Sequence, residues 1–150
     1  MTPQYLNKSH VEKEKYVANL LAKKWNCKVE HQHKFSSYDC IAHRSQDPLA
    51  FVELRVLNYK YYDLDSIMIS LTKLIAGRQQ TEITGIKSLF VVHWAKSQDT
   101  GWIDVNNIVE EKPDFRVTLK NTNRLNAPEE IEVCRYIPTS HFNIIGDNFL

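Results

Sequence analysis

The sequence is poor in residues that interrupt or cross-link a chain. Its 150 residues include only four glycines and five prolines, which argues against a long disordered linker. The three cysteines, Cys27, Cys40 and Cys134, are an odd number without close spacing, so no disulfide framework is expected and a reducing compartment fits. Because this length suits one hydrophobic core, we expect a single domain over residues 1–150.

The sequence also lacks a long apolar run and an excess of one charge. No segment approaches the ~18 apolar residues that a membrane helix needs. The start, Met1–Tyr5, has neither the basic residues nor the apolar stretch of a secretory signal. We therefore expect a soluble, cytoplasmic protein with no membrane partner. The net charge of +1 provides no strong field for nucleic acid, so any such function must come from a local site.

The hydrophobic pattern alternates between helical and strand periodicity. Ser9 followed by Glu12 is a capping-box pattern, which predicts a helix from Ser9 to Trp25. The tail from Thr139 is expected to close over the core. Between the first helix and this tail, the sequence predicts strands at 28–35, 38–43 and 49–57, a loop at 58–65, a helix from Ser66 to Gln80, and strands at 88–94, 102–105, 117–120 and 131–137. This order predicts an α/β (α+β) fold.

The strand predicted at 49–57 has two charged residues on one of its faces. Its even positions are all apolar and indicate a core face. Its odd positions include Glu53 and Arg55. Burying a charge is costly unless it is paired or bound to a metal, so something must compensate Glu53.

Asp39 is a second acidic residue that can approach Glu53. It lies on the preceding predicted strand, with thirteen residues between it and Glu53, which is enough for a hairpin to bring the two side chains together. Carboxylates on adjacent strands suit Mg²⁺ or Mn²⁺, which can polarise a phosphodiester and activate water. Arg55 could then stabilise charge on the phosphate. The alternative is a structural ion-pair network of both carboxylates with Arg55.

The arrangement Asp39…Glu53-Leu54-Arg55 resembles the Asp…Glu-X-Lys motif of PD-(D/E)XK nucleases. The match is closer to small phage-encoded proteins of this superfamily, through a Phe-Val-Glu-X-(Lys/Arg) strand at 51–55 and an Ile-Ser-X-X-Lys segment at 69–73. The resemblance implies a restriction-endonuclease-like αβββαβ core, with a mixed central sheet flanked by helices and a β-rich C-terminal extension.

The same resemblance implies a metal-dependent DNA endonuclease that can work as a homodimer. The Mg²⁺ or Mn²⁺ ligands would be Asp39, Glu53, the Leu54 carbonyl and Glu12, and the alternative for Glu12 is the capping box. Arg55 and Lys73 would steady the scissile phosphate.

One residue departs from the family pattern, because Arg55 stands where the family has Lys. Arginine stays protonated and cannot act as a general base, so Lys73 or Lys60 could supply the missing amine. The alternative function is a catalytically weak or inactive module that binds nucleic acid or a host protein. In that alternative, Arg55 pairs with Glu53 and fills the metal pocket.

Further residues are candidates for nucleic-acid binding. Tyr61 and Tyr62 with Lys60 could stack on bases and touch phosphate, although aromatic loop residues also cover core edges. Ser70 shares a predicted helix stripe with Lys73 and is a further candidate. A zinc site is a less favoured possibility because the spacings match no standard zinc pattern; its residues would be Cys27, His31, His33, Cys40 and His43.

Overall fold

The computed structural model describes residues 10–33, 36–108, 113–120 and 130–145. Two helices and nine strands form the described part of the chain, with two single-turn 3₁₀ helices at Val105–Asn107 and Thr139–His141. In chain order they are α1 (His10–Trp25), β1 (Lys28–His31), β2 (Cys40–Arg44), β3 (Asp47–Leu57), β4 (Ser66–Ser70), α2 (Leu71–Thr84), β5 (Lys87–Trp94), β6 (Asp99–Asp104), β7 (Asp114–Lys120), β8 (Glu130–Pro138) and β9 (Asn143–Ile144).

The central sheet is mixed and has the strand order β1-β2-β3-β5-β6-β9. Strands β3 and β5 are parallel, and the other neighbouring pairs are antiparallel. A parallel pair needs a crossover connection, which here contains β4 and α2. The mixed sheet and its two helices confirm the predicted fold class.

Strand β5 lies between two apolar layers, which explains its nearly continuous apolar sequence. Leu89 and Val91 pack in one cluster with α1, and Phe90, Val92 and Trp94 pack in the other with β4 and α2. The tail contributes Phe142 to the second cluster, and β9 pairs with β6, as expected for a segment that closes over the core.

The β-rich extension forms a second sheet, antiparallel throughout, in the order β4-β8-β7. The predicted start of a helix at Ser66 was wrong, because residues 66–70 form strand β4 of this sheet. In this segment Ile67 and Ile69 alternate with half-buried residues and are themselves buried, which is strand periodicity. The helix begins at Leu71, and Ser70 caps it by accepting a hydrogen bond from the Lys73 backbone N–H.

The later start of α2 also changes which residues it buries. The buried residues of α2 are Leu74 and Gly77, whereas Ile75 is exposed. The helix continues past the predicted end at Gln80 to Thr84. Gly85 ends it with a φ of 75°, a left-handed conformation that suits glycine.

Other boundaries shift by a few residues. Strand β1 ends at His31, whereas the prediction continued to 35. Ser9 and Phe35 lie outside the described residues. Strands β7 and β8 are both longer than the predicted segments at 117–120 and 131–137. In the part of the chain that the structure describes, no helix has the length and apolar character needed to cross a membrane.

Close contact between Tyr38 and Gly77 fixes α2 against the central sheet. Tyr38 is fully buried, and its hydroxyl donates a hydrogen bond to the Lys73 carbonyl at 3.3 Å. A Cβ on Gly77 would overlap that hydroxyl and would lie 2.8 Å from Val105 Cγ2. Glycine at position 77 therefore allows α2 to approach the residue next to Asp39.

Replacing Gly77 with alanine should destabilise the protein. The added methyl group would displace Tyr38, and we expect a net loss of ~1–3 kcal/mol in the free energy of unfolding, although alanine favours helix formation. Urea unfolding measures this loss. The double variant Gly77→Ala, Tyr38→Phe removes the overlapping hydroxyl and should recover part of it. A single Gly77→Ala variant as stable as the unmodified protein would contradict this packing.

Candidate active site

A cleft of about 380 Å³ is lined by residues from both sheets and both helices. Charged and polar residues from five elements meet there with a few apolar side chains. The lining residues are Glu14, Asp39, Glu53, Leu54, Arg55, Met68, Ile69, Ser70, Lys73, Phe90, Glu132 and Cys134. Sequence analysis had singled out six of these twelve as candidate site residues: Asp39, Glu53, Leu54, Arg55, Ser70 and Lys73.

Asp39 and Glu53 are neighbours across adjacent strands. Cys40 pairs with Val52 in the antiparallel β2–β3 ladder, so the same register places Asp39 opposite Glu53. One Asp39 carboxylate oxygen accepts a hydrogen bond from the Leu54 backbone N–H at 3.0 Å. This bond fixes the Asp39 side chain over β3 beside Glu53.

Lys73 reaches the carboxylate pair from the first turn of α2. Its Nζ lies 3.3 Å from Glu53 Oε2 and donates a hydrogen bond to the Ser37 carbonyl at 2.7 Å. The Glu53 contact has ion-pair distance, but Oε2 is buried and makes no well-formed hydrogen bond among the described residues. Lys73 therefore compensates the Glu53 charge only in part.

The Glu53 carboxyl is held in an environment that disfavours its charge. Its pKa is raised to about 7, mainly by burial and also by the negative charge of Asp39, while Lys73 acts in the opposite direction. A carboxyl group with this pKa gains a proton easily in the absence of a further cation. The electrostatics of the cleft thus favour a positively charged ligand next to Glu53.

Arg55 lies in the cleft but does not pair with Glu53. Its Nη1 donates a hydrogen bond to the Met68 carbonyl on β4 at 2.6 Å. Within the described residues, the ion pair at Glu53 is made by Lys73 and no ion pair joins Glu53 to Arg55. Among the described residues, Arg55 therefore does not fill the metal pocket by pairing with Glu53.

Helix α1 contributes Glu14 to the cleft, a residue that the sequence analysis missed. Glu12 is exposed and is not among the lining residues. Glu14 precedes the buried Val17 and Leu21 at helical spacing, so it lies on the face of α1 that packs against the sheet. That periodicity is the signal that distinguishes Glu14 from Glu12.

The second sheet contributes Glu132 and Cys134, which were also missed. Cys134 lies opposite Ser70 in the β4–β8 pairing, and Ser70 lines the cleft beside it. No sequence motif marks these residues, because only the pairing of β8 with β4 brings them to the site.

The aromatic loop lies elsewhere. Tyr61 packs edge-on against Trp94, with ring centroids 5.0 Å apart, and Tyr62 is exposed with Lys60 Nζ 5.7 Å from its ring centroid. Neither tyrosine nor Lys60 lines the cleft. The structure therefore separates these three candidates from Asp39 and Glu53.

The donor atoms of the cleft fit a hard divalent cation better than zinc. No group of three or more His, Cys, Asp or Glu side chains that could hold a metal occurs in the ranges described, which leaves the zinc alternative without support. Magnesium typically uses only one or two protein carboxylates and completes its shell with water and substrate phosphate. The Asp39–Glu53 pair, with one oxygen lacking a hydrogen bond, provides such a set.

Glu53 should make stability depend on pH in a metal-free buffer. The pKa of Glu53 is 4.5 in the unfolded chain and about 7 in the folded protein. Its contribution to stability is therefore fully present below pH 4.5 and is lost as pH rises through 7. Above pH 4.5 the Glu53→Gln variant should therefore become more stable than the unmodified protein, and its free energy of unfolding should be larger by roughly 2–3 kcal/mol at pH 8.

Urea unfolding in EDTA at pH 5 and pH 8 measures this difference. Glu82→Gln is the matched control, because Glu82 is exposed near the end of α2. An equal effect of Glu53→Gln at both pH values would show that the Glu53 pKa is not raised.

Comparison with solved structures finds a similar fold in an archaeal resolvase. A Holliday junction resolvase from the archaeal hyperthermophile Archaeoglobus fulgidus superimposes with a TM-score of 0.52 at 11% identity, over 86% of this chain and 85% of that chain. A nuclease from a fusselovirus superimposes with a TM-score of 0.46 at 13% identity, over 95% and 87% of the two chains. At these identities the resolvase likeness concerns the fold. No curated protein sequence matches the chain.

The sequence also matches a protein-family model over residues 1–145, which is nearly its whole length. The matched model is described as "Phage putative PDDEXK endonuclease". This match includes Asp39, Glu53 and Lys73, which the fold brings together in the cleft. The chain therefore belongs to this phage PDDEXK endonuclease family.

Proposed function

We propose that the chain is a metal-dependent DNA endonuclease that hydrolyses phosphodiester bonds. The observation that carries this proposal is the Asp39–Glu53 pair, which lies in an open cleft and whose buried Glu53 Oε2 contacts Lys73 at 3.3 Å without a well-formed hydrogen bond. Membership of a phage endonuclease family supports it. The host cytoplasm is the expected place of action for a phage-encoded enzyme.

Asp39, Glu53 and the Leu54 carbonyl would hold Mg²⁺ or Mn²⁺. Such an ion, when bound, would polarise the scissile phosphate and lower the pKa of the attacking water. The Leu54 N–H keeps Asp39 directed toward Glu53, so the pair needs little rearrangement to bind. Glu14, and not Glu12, is the acidic residue of α1 that lines the cleft, although no third acidic side chain forms a ligand group with Asp39 and Glu53 among the described residues.

Lys73 and Arg55 would bind the scissile phosphate. Lys73 lies beside Glu53, where its ammonium group can contact phosphate oxygens and stabilise the charge that develops during cleavage. Arg55 uses one N–H to contact the Met68 carbonyl, and its other guanidinium N–H groups can donate to phosphate. Lysine thus comes from α2, whereas the family motif has it on β3.

Ser70 in the cleft and the aromatic loop outside it would contact further parts of the DNA. Ser70 lines the cleft next to Lys73 and can donate a hydrogen bond to a phosphate oxygen. Tyr62 is exposed and has Lys60 beside it, which suits stacking on an unpaired base. Tyr61 packs edge-on against Trp94 and so fixes the same loop to the core. A homodimer, which the resemblance also implies, would bring two clefts into one particle.

Cleavage should depend on both carboxylates and on a divalent ion. With Mg²⁺ or Mn²⁺, the protein should cut at least one of plasmid, single-stranded or branched DNA, and EDTA should abolish cutting. Asp39→Asn and Glu53→Gln should each lower the rate by roughly 10²-fold or more, because metal-ion catalysis contributes several kcal/mol. Asp47→Asn, at an exposed position on β3, is the matched control.

Persistent cleavage in EDTA, or by both carboxylate variants, would contradict the metal site. An absence of cleavage on every substrate with every ion would favour a module that binds nucleic acid or a host protein instead.

The two cationic residues should have separable effects on kinetics. Lys73→Met should lower kcat by about 10²–10³-fold, since it removes a cation beside the reacting phosphate. Arg55→Met should act mainly on KM, because the Met68 contact fixes Arg55 at the cleft wall. Single-turnover and steady-state rates measure the two effects. Lys87→Met, at an exposed site, is the control, and a kcat for Lys73→Met within about twofold of the unmodified value would exclude Lys73 from catalysis.

A further inference from the structure

The hairpin of β7 and β8 has one face with an unusual concentration of exposed apolar side chains. Directly opposed residues in this ladder are Val117 with Val133 and Leu119 with Ile131, and Phe115 follows on the same face. We call these five residues the hairpin patch. Their exposed fractions are 47% for Phe115, 67% for Val117, 65% for Leu119, 69% for Ile131 and 38% for Val133.

The hairpin patch continues a surface that is already part of the core. Ile137 shares its face of β8 and is fully buried, as are Ile67 and Ile69 of β4, which pair along the same strand. Arg135 lies between the two regions, is 4% exposed, and places its guanidinium carbon 5.1 Å from the Phe115 ring centroid. The sheet therefore carries one apolar face, of which half is covered within the chain and half is exposed.

We propose that a second copy of this chain covers the hairpin patch, so that two hairpins pack face to face around a two-fold axis. A face that resembles a divided core is typical of obligate homodimers. Such an interface is isologous, and an apolar patch complements itself without any matching of charges.

The area of the patch agrees with this occupant. Its five side chains expose on the order of 500 Å² of apolar surface, which is near the upper end of what monomers expose. A standard interface covers about 800 Å² on each partner, and homodimer interfaces are about 65% apolar, which requires about 500 Å² of apolar surface from each copy.

Charge presents no obstacle to association of two identical chains. The net charge of each chain is +1, so long-range repulsion between copies is small. Arg135 lies on the patch side but is only 4% exposed. Arg116 and Asp114 pair with each other on the other face, where Arg116 also stacks over Tyr136. Because strand residues alternate between faces, the patch itself is free of the charges of Arg116 and Asp114.

Packing through the patch would leave the candidate active site open. Glu132 and Cys134, which line the cleft from β8, lie on the face of that strand opposite to the patch, so a partner on the patch would not cover them. The proposed association therefore does not depend on catalysis, and it can be tested on protein that has no DNA or metal.

Sedimentation velocity over a range of protein concentrations tests the association. The unmodified chain should sediment at twice the mass of one chain, and Val117→Lys should weaken the dimer by at least ~30-fold, because each copy would place an ammonium group in the apolar interface. Ile83→Lys is the matched control, because Ile83 is 84% exposed on α2 and should leave the dimer intact. Circular dichroism checks that each variant is folded.

A second measurement needs no variant. Amide hydrogen exchange in residues 114–120 and 131–137 should slow as protein concentration rises through the dissociation constant. A monomer at all concentrations would overturn the proposal, whether the patch is then covered by another part of the chain or by a different protein. A dimer that Val117→Lys leaves unchanged would equally overturn it.

Discussion

A carboxylate held inside the protein, that of Glu53, determines how the rest of the cleft is arranged. Its charge is costly because burial and Asp39 both disfavour it, and its pKa rises to about 7. Lys73 offsets this cost from α2 only in part, because its Nζ lies 3.3 Å from the buried Glu53 Oε2 without a well-formed hydrogen bond. Removing this charge would increase stability at high pH, and in the proposed function the Glu53 carboxylate provides half of a cation site.

The crossover between β3 and β5 brings Lys73, which partly compensates the charge of Glu53, to the cleft. Because β3 and β5 are parallel, the chain must pass over the sheet between them, and this passage contains β4 and α2. Gly77 permits α2 to lie against Tyr38, which places the first turn of the helix, and so Lys73, over Glu53. Under the proposed function, Lys73 of α2 takes the place of the lysine that the family motif has on β3, while Arg55 contacts β4.

Local patterns in the sequence predicted those parts of the site that lie on strands with strong periodicity. The alternation around Glu53 identified its face, and hairpin spacing placed Asp39 beside it. The start of α2 was predicted wrongly because Ser66 and Ser70 are both plausible caps, and only pairing with β8 makes residues 66–70 a strand. Glu132 and Cys134 reach the cleft through the same long-range pairing, which no local pattern contains. Glu14 was predictable from helical spacing relative to Val17 and Leu21.

Binding of Mn²⁺ to the metal-free protein tests the central claim most directly, since it requires neither substrate nor turnover. Isothermal titration calorimetry at pH 8 should show binding that Asp39→Asn abolishes or weakens strongly. Affinity should fall between pH 8 and pH 6, because protonation of Glu53, with its pKa of about 7, competes with the ion. Absence of Mn²⁺ binding at pH 8, or equal binding by the Asp39→Asn variant, would contradict the assignment of this carboxylate pair as a cation site.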